Sequence, residues 1–150
     1  AEQLALPVIV HSRDAHEETA SILEVWAAGK AYGRTPLGVM HCFSGDLALA
    51  QRYVDIGLLI SFAGPVTYPK NDHLREAAVR LKGESIVVET DCPYLTPQSQ
   101  RGTRNEPAYV AETARYIAEL RGEDPTAFGN RCWANATRLF GLAKREKMQA

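Results

Sequence analysis

Short apolar runs alternate with helical periodicity along this chain. The runs lie at 7–11, 37–41, 58–62 and 85–90. Each is nearly continuous in hydrophobic residues, as in a parallel strand covered on both faces. Between them, apolar positions recur every three or four residues. Ala15, Thr19, Ile22, Leu23 and Trp26 follow the first run, Leu47, Ala50, Tyr53 and Val54 the second, and Leu74, Ala77, Ala78 and Leu81 the third. This spacing predicts helices. After the fourth run, residues 92–104 are rich in Pro, Gly, Gln and Arg and read as a working loop. Val110, Thr113, Ala114, Ile117 and Leu120 then line one helix face, and Phe128, Cys132, Leu139 and Phe140 mark a last helix before a frayed tail at 144–150.

Polar punctuation fits the same division. Asp14, three before Glu17, resembles a capping box, and Asp46, Asn105 and Asp124 stand where N-caps are needed. Gly29 and Gly33 bracket the first helix exit, and Gly57, Gly83, Gly122 and Gly141 close the others. The order is β-α-β-α-β-α-β-α-α, which implies a parallel sheet with right-handed crossovers. Two architectures fit: half of an eight-unit barrel, or a small open doubly wound sheet. No Gly-rich phosphate fingerprint follows any strand, so a nucleotide-binding version gains no support.

Composition narrows the picture. The 150 residues predict one domain, 1–150, and the net charge of −1 offers no global basic field, so any phosphate contact must be local. Cys42, Cys92 and Cys132 are dispersed, which predicts reduced thiols in a cytoplasmic protein. No apolar run approaches a membrane span. The chain opens on Ala1, and residues 2–6 read as the last turn of a helix already under way, so further protein is expected upstream.

Three runs end in a residue able to bind a metal: His11, His41 and Asp91. Parallel βα folds place their chemistry at the carboxyl ends of strands. Two imidazoles and a carboxylate there predict a shared divalent ion, where a lone histidine would predict only a backbone-bonded side chain. Asp91 is also placed to take a proton from an attacking water; its alternative is a turn aspartate. Period-two alternation puts Glu89 on the Asp91 side of the strand, either orienting a ligand histidine or serving as a hydrogen-bond anchor. Arg13 and Arg104 are candidate phosphate contacts, with ion pairs to Asp14 and Glu106 as the plain alternatives. His16 and His73 read as surface residues on helices. Cys42 and Cys92, each next to a candidate ligand, are expected to face away from it.

These residues together resemble the TatD family of metal-dependent hydrolases, within the amidohydrolase-like superfamily. The matching segments are Leu6-Pro7-Val8-Ile9-Val10-His11-Ser12-Arg13-Asp14-Ala15, His41-Cys42-Phe43-Ser44-Gly45 and Glu89-Thr90-Asp91-Cys92-Pro93-Tyr94-Leu95. Arg101-Gly102-Thr103-Arg104-Asn105-Glu106-Pro107 is similar to the signature before the family's last helices. The resemblance implies a TIM (β/α)8 barrel, of which this α/β chain supplies strands 5–8 with their helices, the C-terminal half. It implies a deoxyribonuclease, typically a 3′-to-5′ exonuclease on single-stranded DNA ends, with two divalent ions (Mg, Zn or Mn). His11, His41 and Asp91 become metal ligands by that match. The family's His-x-His pair and bridging Glu have no counterpart here. Thr103 stands where Lys is usual, and Tyr68-Pro69 interrupts the loop after the third strand. An isolated half-barrel is then expected to be inactive, with its inner face uncovered and two free sheet edges, until an N-terminal half completes it. Two rival readings share these residues. One is an ester or amide hydrolase such as a D-aminoacyl-tRNA deacylase. The other is a non-catalytic, truncated or self-associating half-barrel.

Overall fold

The structure is a computed structural model that describes residues 1–29 and 36–142. Its four strands are β1 (Val8–Val10), β2 (Gly38–Met40), β3 (Leu58–Phe62) and β4 (Ile86–Val88), all parallel and in the order β1-β2-β3-β4. Each crossover moves one place in the same direction. A doubly wound sheet instead reverses its strand order at a switch point, so that alternative does not describe this chain. The helices are α1 (His16–Ala28), α2 (Leu47–Asp55), α3 (Asp72–Arg80), α4 (Val110–Arg121) and α5 (Pro125–Phe140). Gly33 and the tail at 144–150 lie outside the described residues. Residues 2–5 form a hydrogen-bonded turn in which the Leu4 and Ala5 amides donate to the Ala1 and Glu2 carbonyls.

Strand register divides the sheet into two faces. Val8, Val10, Met40, Leu58, Ile60, Phe62, Ile86 and Val88 share one face and pack into the main core with Ala20, Ala50, Tyr53, Leu74, Ala77 and Ile117 from the helices. Ile9, Val39, Leu59 and Val87 point the other way. Val39, Leu59 and Val87 are buried beneath Leu139 and Ala136 of α5, so the inner face is not left uncovered as expected. The cause is local to α5. Buried Asn135 donates to the Gly83 and Ile86 carbonyls at 2.8 and 2.7 Å, which ties the helix to the start of β4 and brings Leu139 across the sheet. Ile9 is different. It is 64 % exposed, so β1 is not covered on both faces; as an edge strand it lies beyond that apolar cluster.

The caps follow the predicted chemistry in part. Asp46 accepts from the Leu49 amide and Asp124 from the Ala127 amide, at 2.9 and 2.8 Å. Asp14 does not cap α1: its φ of +56° carries it away, and the N-cap is Ala15 with no side-chain bond. Ser12 organises that turn instead, contacting His16 Nδ1 at 3.0 Å and accepting from the Thr19 hydroxyl at 3.2 Å. His16 is therefore half-buried rather than a free surface residue. On α1, Ile22 is 68 % exposed, and the buried stripe runs instead through Ala20 with Leu23 packed beside it. Leu120 and Phe140 also lie at the surface rather than in the core.

Candidate metal centre

Sheet register brings the chemistry to one side. Val10 pairs with Met40 and Met40 with Ile60, so one residue further along His11, His41 and Ser61 fall in a row on the face opposite the main core. The His11 and His41 rings are 5.6 Å apart between centroids, tilted by 48°. The Glu89 amide donates to the Phe62 carbonyl at 3.0 Å, which carries the alignment of β4 with β3 past the end of the strand.

His41 is the hub. Its Nδ1 lies 2.8 Å from Glu89 Oε1, and its Nε2 lies 3.4 Å from Asp91 Oδ1. Ser61 donates its hydroxyl to Glu89 Oε2 at 2.5 Å. One ligand atom from each of His41, Glu89 and Asp91 lies within 4.8 Å of the others. Glu89 Oε1 is buried yet receives no aligned hydrogen bond; the nearby imidazole nitrogen is close but out of line. A buried carboxylate oxygen without a donor is costly. A divalent cation held by His41 and Asp91 would fix the imidazole with its Nδ1–H toward Glu89 and lower that cost, and the donor set suits Zn²⁺ or Mn²⁺. The residues present fit such an ion.

The predicted ligands divide. His41 and Asp91 meet directly, joined by Glu89. His11 stands beside His41, exposed and outside the three-residue group. Arg13 lines a cleft of about 250 Å³ with His11, Cys42, Asn71 and His73, while Arg104 is exposed on its loop. Neither arginine forms an ion pair with Asp14 or Glu106 among the described residues.

Two residues at the site leave extended backbone geometry. Asp91 has φ +55° and Cys42 φ +46°, left-handed conformations just past the strand ends. Cys42 consequently lines the cleft instead of facing away from it. Its thiol is pushed up to about 12, first by burial and then by the negative charges of Glu89 and Asp91, with Arg13 opposing. It stays protonated near neutral pH, which removes it as a nucleophile.

Sequence reasoning missed Ser61 and misread Asn105. Ser61 is the one polar residue in the β3 run, and a buried hydroxyl needs a partner; that was the available signal. Asn105 is not a helix cap. Its Nδ2 donates to the Thr90 and Tyr94 carbonyls at 2.6 and 2.5 Å, and its Oδ1 accepts from the Glu106 amide at 2.9 Å. It clamps the turn that carries Asp91, while α4 starts later, through a 3-10 turn at Pro107–Tyr109.

Comparison with known proteins agrees with this geometry. A Bacillus subtilis relative named as the metal-dependent hydrolase YabD is 39 % identical over 142 residues, covering 95 % of this chain and 54 % of the relative. A Pectobacterium parmentieri relative named 3′-5′ ssDNA/RNA exonuclease TatD is 38 % identical over 148 residues, covering 95 % and 55 %. The crystal structure of YjjV, a TatD homologue from Escherichia coli K12, superposes with a TM-score of 0.84 at 32 % identity, over 94 % of this chain and 52 % of that one. An amidohydrolase structure from Saccharomyces cerevisiae, at 16 % identity and TM-score 0.76, shares the fold. The chain spans about half the length of the curated relatives it matches. A sequence profile of the family described as TatD related DNase matches residues 1–141, and with this parallel α/β sheet and its His/Glu/Asp cluster the chain belongs to that family of metal-dependent hydrolases.

Proposed function

We propose that this chain is the back half, strands 5–8, of a TatD-type barrel that hydrolyses phosphodiester bonds at single-stranded DNA ends. The sequential strand order, the outermost places of β1 and β4 among the described residues, and the half-length coverage of relatives support the half-barrel. The meeting of His41, Glu89 and Asp91 at the strand ends is the observation that carries the catalytic reading. The exonuclease name of the Pectobacterium relative supports nucleic acid as the substrate class.

His11, His41 and Asp91 are the proposed ligands, with Glu89 orienting His41. When bound, a divalent ion (Mg, Zn or Mn) supplies electrophilic polarisation of the phosphoryl group and acidifies water. Asp91 accepts the proton of the attacking water, whose oxygen bonds to phosphorus as the ester oxygen departs. Arg13 and Arg104 hold the phosphate oxygens by charge-assisted bonds. The three separate thiols suit a reducing cytoplasm, and no helix among the described residues is long and apolar enough to cross a membrane.

The test supplies the four remaining βα units of the Bacillus relative, fused or as a separate chain, and follows release of 3′ nucleotides from labelled single strands. Metal-dependent release by the completed protein, abolished by Asp91→Asn and weak with the chain alone, is the expected result. No metal-dependent cleavage by the completed protein would overturn the catalytic reading.

A further inference from the structure

We propose a second nucleic-acid contact beyond the metal centre: a cleft where Lys70 and Arg101 hold a phosphate and the Tyr68 and Arg101 stack serves an unpaired base. The inference rests on the nuclease reading above and identifies where a substrate strand would lie.

The cleft is a built feature. It has a volume of about 370 Å³ and is lined by Tyr68, Pro69, Lys70, Asn71, Gln98 and Arg101. Its two walls are the loop after β3 and the loop after β4. The Tyr68 hydroxyl donates to the Thr96 carbonyl at 2.8 Å, and the Gln98 amide donates to Thr67 Oγ at 2.7 Å. At Gly64 the loops are in backbone contact, since an added Cβ would fall 2.1 Å from the Leu95 carbonyl oxygen. The walls are therefore fixed relative to each other.

Its charge is one-sided. Among the described residues two cations line the cleft and no carboxylate does, on a chain whose net charge is −1. Of the nearby acids, Asp72 pairs with Arg75, and Glu112 accepts hydrogen bonds from Ser99 and Gln100. Lys70 and Arg101 form no ion pair among the described residues. The Arg101 guanidinium carbon sits 4.4 Å from the Tyr68 ring centroid, which holds the planar cation by its face. Its N–H donors lie in the guanidinium plane and stay available to a phosphate.

The cleft adjoins a second one that lies beside the metal centre. Asn71 lines both this cleft and the one containing His11 and Arg13, and His11 stands beside His41. A strand whose end reacts at His41 and Asp91 would pass Arg13, cross Asn71 and reach Lys70 and Arg101. Cations combined with a stacking surface suit a single strand, whose bases are free to stack; a paired duplex hides those faces.

The test is fluorescence anisotropy with a labelled oligothymidylate, in EDTA so that neither metal nor cleavage contributes, across a salt series. The probes are wild type, Lys70→Gln and the double variant Lys70→Ala with Arg101→Ala; both side chains are exposed, and thermal melts confirm folding. Losing that one phosphate contact in the double variant should flatten the plot of log affinity against log salt by about 0.7, with weaker binding throughout and a smaller change in Lys70→Gln. Tyr68→Leu should weaken binding of oligothymidylate more than binding of an abasic strand of equal length, which loses only the positioning of Arg101. An unchanged slope in the double variant overturns the inference and leaves the catalytic reading standing. Equal effects of Tyr68→Leu on both strands overturn the stacking role. Absence of binding by the wild type overturns the inference too, and the cleavage assay then judges the catalytic reading separately.

Discussion

Replacing Glu89 with Gln isolates what its carboxylate does. Glu89 lies between His41 and Ser61, with Oε1 buried and unmatched and Oε2 holding the Ser61 hydroxyl. Gln preserves the volume, and its amide oxygen can still accept from Ser61. What disappears is the negative charge facing His41. Two consequences of opposite sign follow. Without metal, removing an unsatisfied buried anion should leave stability unchanged or raise it by about 1 kcal/mol. With metal, losing the carboxylate that orients a ligand histidine should weaken binding about 10–100-fold. That range corresponds to about 1.4–2.7 kcal/mol. Isothermal titration with Zn²⁺ measures the second effect, and urea denaturation in EDTA measures the first. A loss far beyond 100-fold would make Glu89 a direct ligand. Affinity within twofold of wild type, together with several kcal/mol of lost metal-free stability, would refute the reasoning and leave Glu89 as a structural anchor only.

Three further outcomes are expected. Cys42, with its thiol pushed up to about 12 by burial, should resist alkylation by iodoacetamide. Its thiolate fraction at pH 8 is about 10⁻⁴, so exposed Cys92 should label far faster by mass spectrometry, and equal rates would show that Cys42 is not so shielded. Asn135→Ala removes both hydrogen bonds from α5 to the start of β4 and should cost about 2–4 kcal/mol in urea denaturation; less than 1 kcal/mol would mean water replaces the amide. Burial pushes the Glu123 carboxyl up, but hydrogen bonds from Arg121 and Arg131 outweigh it and hold the group below its ordinary value of 4.5. Its stabilisation is therefore complete above that value and is lost as pH falls through the lower, folded-state value. Glu123→Gln should flatten the acid limb of a plot of melting temperature against pH; an identical limb in the variant would contradict the assignment.

The elements differ in how far they could be read from the chain. β3 lies within its predicted limits at 58–62, because a continuous apolar run flanked by Gly57 and Gly64 has few other solutions. α2 has its predicted cap, because Asp46 satisfies the first-turn amides with its own side chain. Asp14 and Asn105 carry the same chemistry, yet neither caps a helix. In each case the backbone turn around the residue, set by distant neighbours, decides where the short polar side chain reaches.

The sequence by itself determined the number and type of the main elements, their alternation, and the position of a His or Asp at three strand ends. Those features follow from local periodicity and from which side chains can serve as donors. The tertiary structure alone decided that the strands run in sequential order, that Leu139 covers the sheet's second face, and that His41 gathers Glu89 and Asp91 while His11 stands beside the group. Sequential order and shared donors depend on register between strands tens of residues apart. Such register is set by packing against helices and by clamps such as Asn105 and Asn135, whose partners no local pattern reveals.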